Sequence, residues 1–386
     1  MTKLEELIQE LCPDGVEIKR IGDVAEVGTG SSNGNEAEDE GEYPFFIRSQ
    51  TVKAKNDYEY DEEAIIIPGE GGVGDIYHYI SGKYALHQRV YRIHFTERSI
   101  NTKFAYHYFR AFFKAFIMKK AVSATVTSIR KPMIQNFEMP VPPLGVQSEI
   151  VRILDNFTEL TAELTAELTA RKQQYSYYRD SLLTFDNSVP LIALAELCDI
   201  GDGLHGTPEY NDNGEYYFIN GNNLSNGRIV FDAKTKRISS DEYEKIKIPF
   251  GETLLYSING TIGNIALYNN ENIALGKSAA YFTVTSDKLL LKYLFYVLQS
   301  GQTMSYFEKN LTGSTIKNLG LKTLRDYKIA LPPLDVQNRL VEVLDNFDAI
   351  CTDLNIGLPA EIEARKKQYE YYRDKLLTFK TMSNQQ

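Results

Sequence analysis

Pro142-Pro-Leu-Gly-Val-Gln147, Leu154-Asp-Asn-Phe157 and Ala170-Arg-Lys-Gln-Gln-Tyr-Ser-Tyr-Tyr-Arg-Asp-Ser-Leu-Leu-Thr-Phe185 decide the fold, because the chain writes this series twice. The second copy reads Pro332-Pro-Leu-Asp-Val-Gln337, Leu344-Asp-Asn-Phe347 and Ala364-Arg-Lys-Lys-Gln-Tyr-Glu-Tyr-Tyr-Arg-Asp-Lys-Leu-Leu-Thr-Phe379. The offset is 190 in the first two motifs and 194 in the third, so a four-residue difference lies inside otherwise matched segments. An internal repeat of this length governs every later reading of the chain.

Working outward, positions spaced four and three apart from Ile150 are Leu154, Phe157, Thr161, Leu164, Leu168, Arg171, Tyr175, Tyr178, Leu182 and Phe185. All but Thr161 and Arg171 are apolar or aromatic, which is the seam of a coiled coil. Pro142-Pro143 gives a rigid entry, and a helix from about 144 to 185 would be roughly 63 Å long. The second copy keeps the seam through Leu340, Leu344, Phe347, Cys351, Leu354 and Leu358, then Arg365, Tyr369, Tyr372, Leu376 and Phe379. Gly357 and Pro359 interrupt it, so a break or kink is expected there. Two such helices in one chain most simply pair with one another; pairing with a partner protein's helices is the competing reading. Arg179 and Arg373 are expected beside the seam, facing outward.

The stretches before each helical segment repeat far more weakly. Gly41-Glu-Tyr-Pro-Phe-Phe-Ile47 echoes Gly214-Glu-Tyr-Tyr-Phe-Ile219, Gly71-Gly-Val-Gly-Asp-Ile76 echoes Gly260-Thr-Ile-Gly-Asn-Ile265, and Ala85-Leu86 echoes Ala274-Leu275. Thr127-Ser-Ile-Arg130 is placed opposite Ser314-Thr-Ile-Lys317. The order is therefore domain 1–142, helical spacer 143–186, domain 187–332 and helical spacer 333–386. Short β-branched or aromatic runs at 64–67, 77–80, 90–95, 253–256, 265–268 and 280–284 predict strands. Helices are expected at 102–121 and 288–307. The fold class is α+β: two mixed α/β domains joined by two long coiled-coil helices.

The 386 residues suffice for two domains with real cores. No apolar run reaches the roughly 20 residues of a membrane span, and the opening residues form no apolar signal core, so the cytoplasm is expected. Cys12, Cys198 and Cys351 stand far apart without metal-ligand spacing, which predicts buried reduced thiols and no metal site. The net charge of −10 argues at first against nucleic acid. Yet residues 1–142 sum to −4 and residues 187–332 to −1. Much of the first excess is the run Glu36-Ala-Glu-Asp-Glu-Gly-Glu42, read as a solvated loop.

No sequence motif supplies a catalytic centre. Gly69-Glu-Gly-Gly-Val-Gly74 matches a dinucleotide fingerprint literally, but Pro68 precedes it and strand follows it, so it reads as a hairpin turn. The Pro-Pro-Leu motifs are not the Asn/Asp-Pro-Pro-aromatic signature of adenine methyltransferases, and no phosphate-binding loop or zinc-protease motif occurs. The polar loop residues are better suited to base edges and phosphates. In the first domain these are Arg48, Ser49, Gln50, Gly71, Gly72, His87, Gln88, Arg89, Thr127, Ser128, Arg130 and Lys131. In the second they are His205, Asn220, Asn222, Asn223, Asn259, Thr261, Lys277, Ser278, Ser314, Thr315, Lys317 and Asn318. For any one of them a solvated turn is the bland reading. Polar character recurring at matched positions while residue identity diverges favours recognition of two different half-sites.

Over nearly its full length the chain resembles the specificity subunits of type I restriction–modification systems. The Pro-Pro-Leu-x-x-Gln pair, the two Arg-Lys-x-Gln-Tyr-x-Tyr-Tyr-Arg-Asp helices and the Gly-x-x-Gly turns carry the resemblance. Glu159-Leu-Thr-Ala-Glu-Leu-Thr-Ala-Glu-Leu-Thr-Ala170 is similar to short helical repeats found in some members. The resemblance implies two target-recognition domains related by a pseudo-twofold at opposite ends of an antiparallel helical pair. It implies double-stranded DNA as ligand, read as a split asymmetric site whose adenines are methylated. It implies two methylation subunits as partners, to which restriction–translocation subunits add. S-adenosylmethionine, Mg²⁺ and ATP would belong to those partners, leaving this chain without cofactor, metal, small-molecule substrate, catalytic residue or membrane role. The acidity implies that the methylation subunits supply much of the phosphate grip. A two-headed protein-binding scaffold without a DNA role is the alternative, and a stand-alone enzyme is the third reading.

Overall fold

The computed structural model describes residues 3–120, 128–248, 250–313, 315–352 and 357–381. The chain divides into two compact units: unit 1 is Met1–Glu163 with Glu363–Gln386, and unit 2 is Leu164–Ile362. Each segment read as a helical spacer is thus shared between units.

Unit 1 begins with α1 (Lys3–Leu11), β1 (Glu17–Arg20) and α2 (Ile21–Val24). Seven strands follow or interleave: β2 (Ala25–Thr29), β3 (Tyr43–Phe46), β4 (Lys53–Lys55), β5 (Tyr60–Pro68), β6 (His78–Leu86), β7 (Val90–Phe95) and, after α3 (Thr102–Lys120) and α4 (Lys131–Gln135), β8 (Glu138–Val141). The main sheet has the order β2-β7-β5-β6-β3-β4, antiparallel except for β3 against β6. The continuous apolar run in β5 is explained by burial on both faces. Ile65 and Ile67 meet Phe104, Phe109, Phe113 and Ile117 of α3 in the main core, while Ala64 and Ile66 join Phe46, Tyr84, Leu86 and Val90 on the other side. Alternate side chains of a strand point to opposite faces, so neither face is left polar.

The chain then enters α5 (Leu144–Leu182), whose first half belongs to unit 1 and whose remainder belongs to unit 2. Unit 2 continues with β9 (Leu191–Ala193), β10 (Cys198–Asp202), β11 (Tyr216–Ile219), β12 (Leu224–Ser225), β13 (Arg228–Ile229), β14 (Lys236–Ile238) and α6 (Ser240–Ile246). Next come β15 (Thr253–Ser257), β16 (Ile265–Leu267), β17 (Ile273–Leu275), β18 (Ala279–Val284), α7 (Leu291–Leu298), α8 (Gly301–Lys309), α9 (Leu321–Asp326) and β19 (Lys328–Ala330). α10 (Leu334–Thr352) closes the unit, and most of α11 (Leu358–Leu376) returns to unit 1. The strand order β10-β18-β15-β16 with β14-β11-β17 repeats unit 1, including the parallel pairing of β11 with β17. The single long β6 of unit 1 is matched by the two short strands β16 and β17. Between them Tyr268-Asn-Asn-Glu-Asn272 forms a detour, with Asn270 at φ 61°, a conformation asparagine tolerates. The expected single helix over 288–307 is instead α7 and α8: the Ser300 hydroxyl accepts the Thr303 N–H at 3.3 Å and starts a new helix.

The repeated motifs have physical explanations. Gln147 is fully buried; its Oε1 accepts the Asn101 N–H at 2.8 Å, and its Nε2 donates to Ser99 O at 2.7 Å and Pro142 O at 2.6 Å. Gln337 does the same with the Leu290 N–H at 2.9 Å, Lys288 O at 2.8 Å and Pro332 O at 2.8 Å. One amide thus ties the Pro-Pro entry to the start of the domain's own helix. About two turns later, Asp155 accepts from Lys103 at 3.0 Å and His107 at 2.9 Å, and Asp345 accepts from Lys292 at 2.7 Å and from Tyr296. Phe157 stacks on Tyr372 within unit 1, and its repeat mate Phe347 stacks on Tyr178 within unit 2, each at 5.6 Å. Both seams therefore find a partner in this chain. The two helices α10 and α11 in place of one rod agree with the break expected near Gly357 and Pro359; Leu354 of the expected seam lies outside the described residues.

Two expectations about the seam are corrected. The Arg179 and Arg373 side chains are only 13% and 21% exposed, lying over the Tyr175 and Tyr369 rings and paired with Asp180 and Asp374. Tyr178 and Tyr372, stacked on one side, remain 40% and 36% exposed. Each guanidinium carbon lies over its tyrosine ring, 5.6 Å from the Tyr175 centroid and 5.9 Å from that of Tyr369, which draws the arginine inward. Cys12, Cys198 and Cys351 are buried and unpaired. Part of the acidic run is anchored rather than solvated, since Glu36 pairs with Lys55 at 2.8 Å and Glu38 bonds to Asn56 and bridges Ala54.

Replacing Gln147 by leucine leaves the Asn101 N–H and the Ser99 and Pro142 carbonyls without this partner, at about 1–3 kcal/mol for the buried Pro142 carbonyl. Denaturant unfolding of the full chain should show this loss, and Gln337→Leu should match it in unit 2. A second expectation concerns pH. Burial holds His78, His87 and His107 below the ordinary histidine value of 6.5, Asp155 opposing the effect at His107. All three lie in unit 1. The unfolded chain takes up protons at a higher pH than these buried rings, so their contribution is complete above 6.5 and declines as the pH falls below it. Amide exchange, corrected for its intrinsic rate, should show unit 1 losing protection ahead of unit 2 between about pH 7.5 and about pH 5.5.

Candidate nucleic-acid interface

In unit 1 four loops meet at the end of the sheet. The turn between β5 and β6 carries Gly71, Gly72 and Gly74 at φ 73°, 79° and 72°, a region that favours glycine. This confirms a hairpin turn rather than a dinucleotide loop. Glu70 at its start bridges Ser128, while the Ile129 N–H donates to Gly69 O at 2.7 Å. The His87 N–H donates to Phe46 O at 3.0 Å, and His87 pairs with Ser32 as a further bridge. These backbone links set side by side the residue after β3, the β5–β6 turn, the β6–β7 turn and the loop before α4.

The centre of this cluster is Glu70. One of its oxygens, Oε2, accepts from Arg48 Nη1 at 3.3 Å and from Arg89 Nη1 at 2.9 Å. The Arg89 hydrogen bond, reinforced by both guanidinium charges, holds the carboxyl below its ordinary range. Beneath it His87 is buried, and its Nδ1 accepts the Arg89 backbone N–H at 3.0 Å. Burial first, then the charges of Arg48 and Arg89, keep that ring neutral to a lower pH than usual. Gln88 donates to Asn33 at 2.6 Å, and Ser49 closes on Thr51 O at 2.8 Å. Gln50 is exposed at the rim of a cleft lined by Phe46, His78 and Tyr79. Arg130 and Lys131 are exposed at the start of α4, whereas Thr127 lies outside the described residues.

Unit 2 builds the same place with different chemistry. The Leu319 N–H donates to Ile258 O at 2.8 Å, as Ile129 does to Gly69, and Asn259 bridges Asn318 as Glu70 bridges Ser128. This match corrects the expected loop alignment: Ser128-Ile129 faces Asn318-Leu319, not Thr315-Ile316. Unit 2 reaches this point through a loop closed by Thr312 and Asn318, with Gly313 at φ 87°. Ser314 lies outside the described residues. Asn220 accepts from Ser278 at 2.9 Å, and Asn223 accepts the Asn220 N–H at 2.9 Å and donates to Val230 O at 3.1 Å. Those three side chains hold their own loops. Asn222, Thr261, Lys277, Thr315 and Lys317 are exposed, and His205 pairs with Asp202 at 2.8 Å.

The strand register fixes the correspondence. Phe46 faces Leu86 as Ile219 faces Leu275, which sets Gly221 opposite Arg48; Ser278 then stands opposite Arg89 and Asn259 opposite Glu70. Unit 1 therefore presents two cations around a carboxylate where unit 2 presents small neutral residues. Sequence reasoning found both arginines but missed Glu70, whose signal was an acidic residue inside a glycine turn at the same offset as Asn259. Among the described residues no helix is long and apolar enough to cross a membrane.

Known proteins bear on this architecture directly. The family described as the type I restriction modification DNA specificity domain matches residues 13–171 and 191–364, once in each half of the repeat. The EcoR124I/EcoR124II type I restriction enzyme specificity subunit of Escherichia coli is 36% identical over 262 residues, 64% of this chain and 63% of that protein. A protein of Haemophilus influenzae named as a type I restriction enzyme specificity subunit is 31% identical over 363 residues, covering 88% of this chain and 89% of its own length. The fold is shared with a chain from a structural study of type I complex assembly, at TM-score 0.64 and 16% identity over 95% of this chain and 98% of that one. It is also shared with the S subunit of M. genitalium, at TM-score 0.53 and 15% identity over 93% and 94% of the two chains. With both halves of the repeat matched, and with relatives of that name along most of its length, the chain belongs to the type I restriction–modification DNA specificity family.

Proposed function

We propose that the chain is the DNA-recognition subunit of a type I restriction–modification complex and reads a bipartite, asymmetric site. One observation carries this reading. The two units share a strand order and a backbone-linked loop cluster, yet the side chains presented there differ in charge and hydrogen-bonding character. A repeated frame with diverged loops suits two half-sites of different sequence. Arginine matches the two acceptors of guanine, and asparagine matches the donor–acceptor edge of adenine. The repeated helices, with Tyr177 and Tyr371 exposed at equivalent positions, are suited to receive the same element of two methylation subunits. Restriction–translocation subunits add to that core. S-adenosylmethionine, Mg²⁺ and ATP belong to those partners, and this chain contributes no catalytic group. The partner subunits also supply cations that this acidic chain lacks for gripping phosphates.

The test is domain exchange. Replacing residues 187–330 with the corresponding segment of a relative, followed by methylome sequencing of cells making the full complex, should change one half of the methylated motif and leave the other intact. Replacement of both halves would show joint reading, and a motif unchanged throughout would remove unit 2 from recognition.

A further expectation concerns Thr161-Ala-Glu-Leu164 and Thr165-Ala-Glu-Leu168, identical helix-favouring tetrads within α5. Deleting Thr165–Leu168 shortens the helix by about 6 Å and turns its end by about 40°. With base pairs rising about 3.4 Å each, the spacer between half-sites should contract by one or two base pairs. The half-site sequences should stay the same, since no loop residue is touched. Sequencing the methylated sites of the deletion variant checks this; normal activity with an unchanged spacer would show that the tract does not set the distance.

A further inference from the structure

The inference here rests on the DNA-reading role just described and concerns how unit 1 chooses its bases. We propose that Glu70 is a specificity-determining residue: it holds Arg48 and Arg89 as a paired fork for guanine edges and withholds them from backbone phosphates.

The geometry supplies the reasons. Both guanidiniums are bound through Nη1 to the same carboxylate oxygen, Glu70 Oε2. A guanidinium carries five N–H donors, so each arginine keeps further donors for a ligand while its position is fixed. The Arg48, Arg89 and Glu70 side chains are 46%, 57% and 37% exposed, so the fork stands at the surface instead of being sealed in the core. Its anchor is stiff: Glu70 lies in a backbone bridge to Ser128, next to the Gly69–Ile129 hydrogen bond. A side chain at Gly71 would come within 3.4 Å of Arg48 O, and its φ of 73° also favours glycine, so the turn stays close to Arg48.

Charge decides what such a fork prefers. Two adjacent arginines without a carboxylate would be drawn to any phosphate, because that attraction does not depend on sequence. Glu70 cancels one of the two charges, and the neutral His87 beneath adds none. A phosphate must then compete with a carboxylate already in place and is repelled by it. The O6 and N7 of guanine are neutral acceptors and meet no such repulsion. Unit 2 has Gly221, Asn259 and Ser278 at these three places, so the device belongs to unit 1 alone.

The experiment uses the full chain with its methylation subunits and a random duplex library, sequenced after selection at several salt concentrations. Wild type should select a bipartite motif with guanine in one half. Arg48→Lys and Arg89→Lys keep the charge but lose the fork, and each should lose guanine preference at one position of that half by roughly tenfold to a hundredfold. Glu70→Gln should weaken discrimination at the same positions, tighten binding to unrelated duplex and steepen the salt dependence. Exposed ion pairs contribute little to stability, so these variants keep their fold. The proposal is overturned if neither lysine variant changes a guanine position, or if Glu70→Gln leaves both discrimination and salt slope unchanged. If wild type selects no sequence at all, the DNA-reading role fails as well, which separates the two conclusions.

Discussion

Gln147 and Gln337 each connect three backbone groups from two segments that are otherwise far apart in sequence: the residues before a domain helix and the proline that opens a long helix. The amide meets a donor and two acceptors at once, and so ties the start of the long helix to the start of the domain helix. Everything downstream depends on that tie. It brings Asp155 and Asp345 under the lysine and the aromatic or histidine side chain of the neighbouring helix, and places Phe157 and Phe347 against their tyrosines. A glutamine at this point costs solvation when buried and is stable because both ends of its amide are satisfied.

The scaffold was legible in the sequence because its residues contact one another. Pro-Pro-Leu-x-x-Gln, Leu-Asp-Asn-Phe and the tyrosine-rich helix recur together since each satisfies a partner that also recurs. The sheet was legible only as separate strands. The parallel pairing of β3 with β6 depends on closure of the whole unit, and no local pattern announces it. The split of the expected 288–307 helix turned on one serine hydroxyl, and the outward placement expected for Arg179 ignored how well a guanidinium covers a ring. In the loops, side-chain chemistry alone pairs Ser-Ile-Arg with Thr-Ile-Lys. The backbone instead aligns Ile129 with Leu319, because burial of that one side chain fixes the register while loop length is free. Glu70 was hidden for a related reason: glycines on both sides made its turn look purely conformational.

The comparison of the two units also explains how an acidic chain can serve nucleic acid. Arg48 and Arg89 are held by a carboxylate, and Lys55 by Glu36 and Asp57, so these three cations come with nearby anions. Cations neutralised in this way add little sequence-independent attraction and leave choice to hydrogen bonds at those positions. Weak general attraction and local discrimination are consistent with one another when partner subunits contribute the remaining grip.

Unit 1 is built from residues at both ends of the chain: Leu4, Val16, Phe104 and Leu154 share a core with Leu377, and Tyr369, Leu376 and Phe379 pack against it. The Val16 N–H even donates to Lys380 O at 2.9 Å. Unit 2, by contrast, is one uninterrupted stretch from Leu164 to Ile362. Domains usually complete themselves in the order in which the ribosome releases them. Here that order is inverted: the earlier-made portion of unit 1 keeps part of its apolar face open until α11 has emerged, after unit 2 is complete. A chain that stopped before Glu363 would therefore have unit 2 finished and part of the unit 1 core exposed.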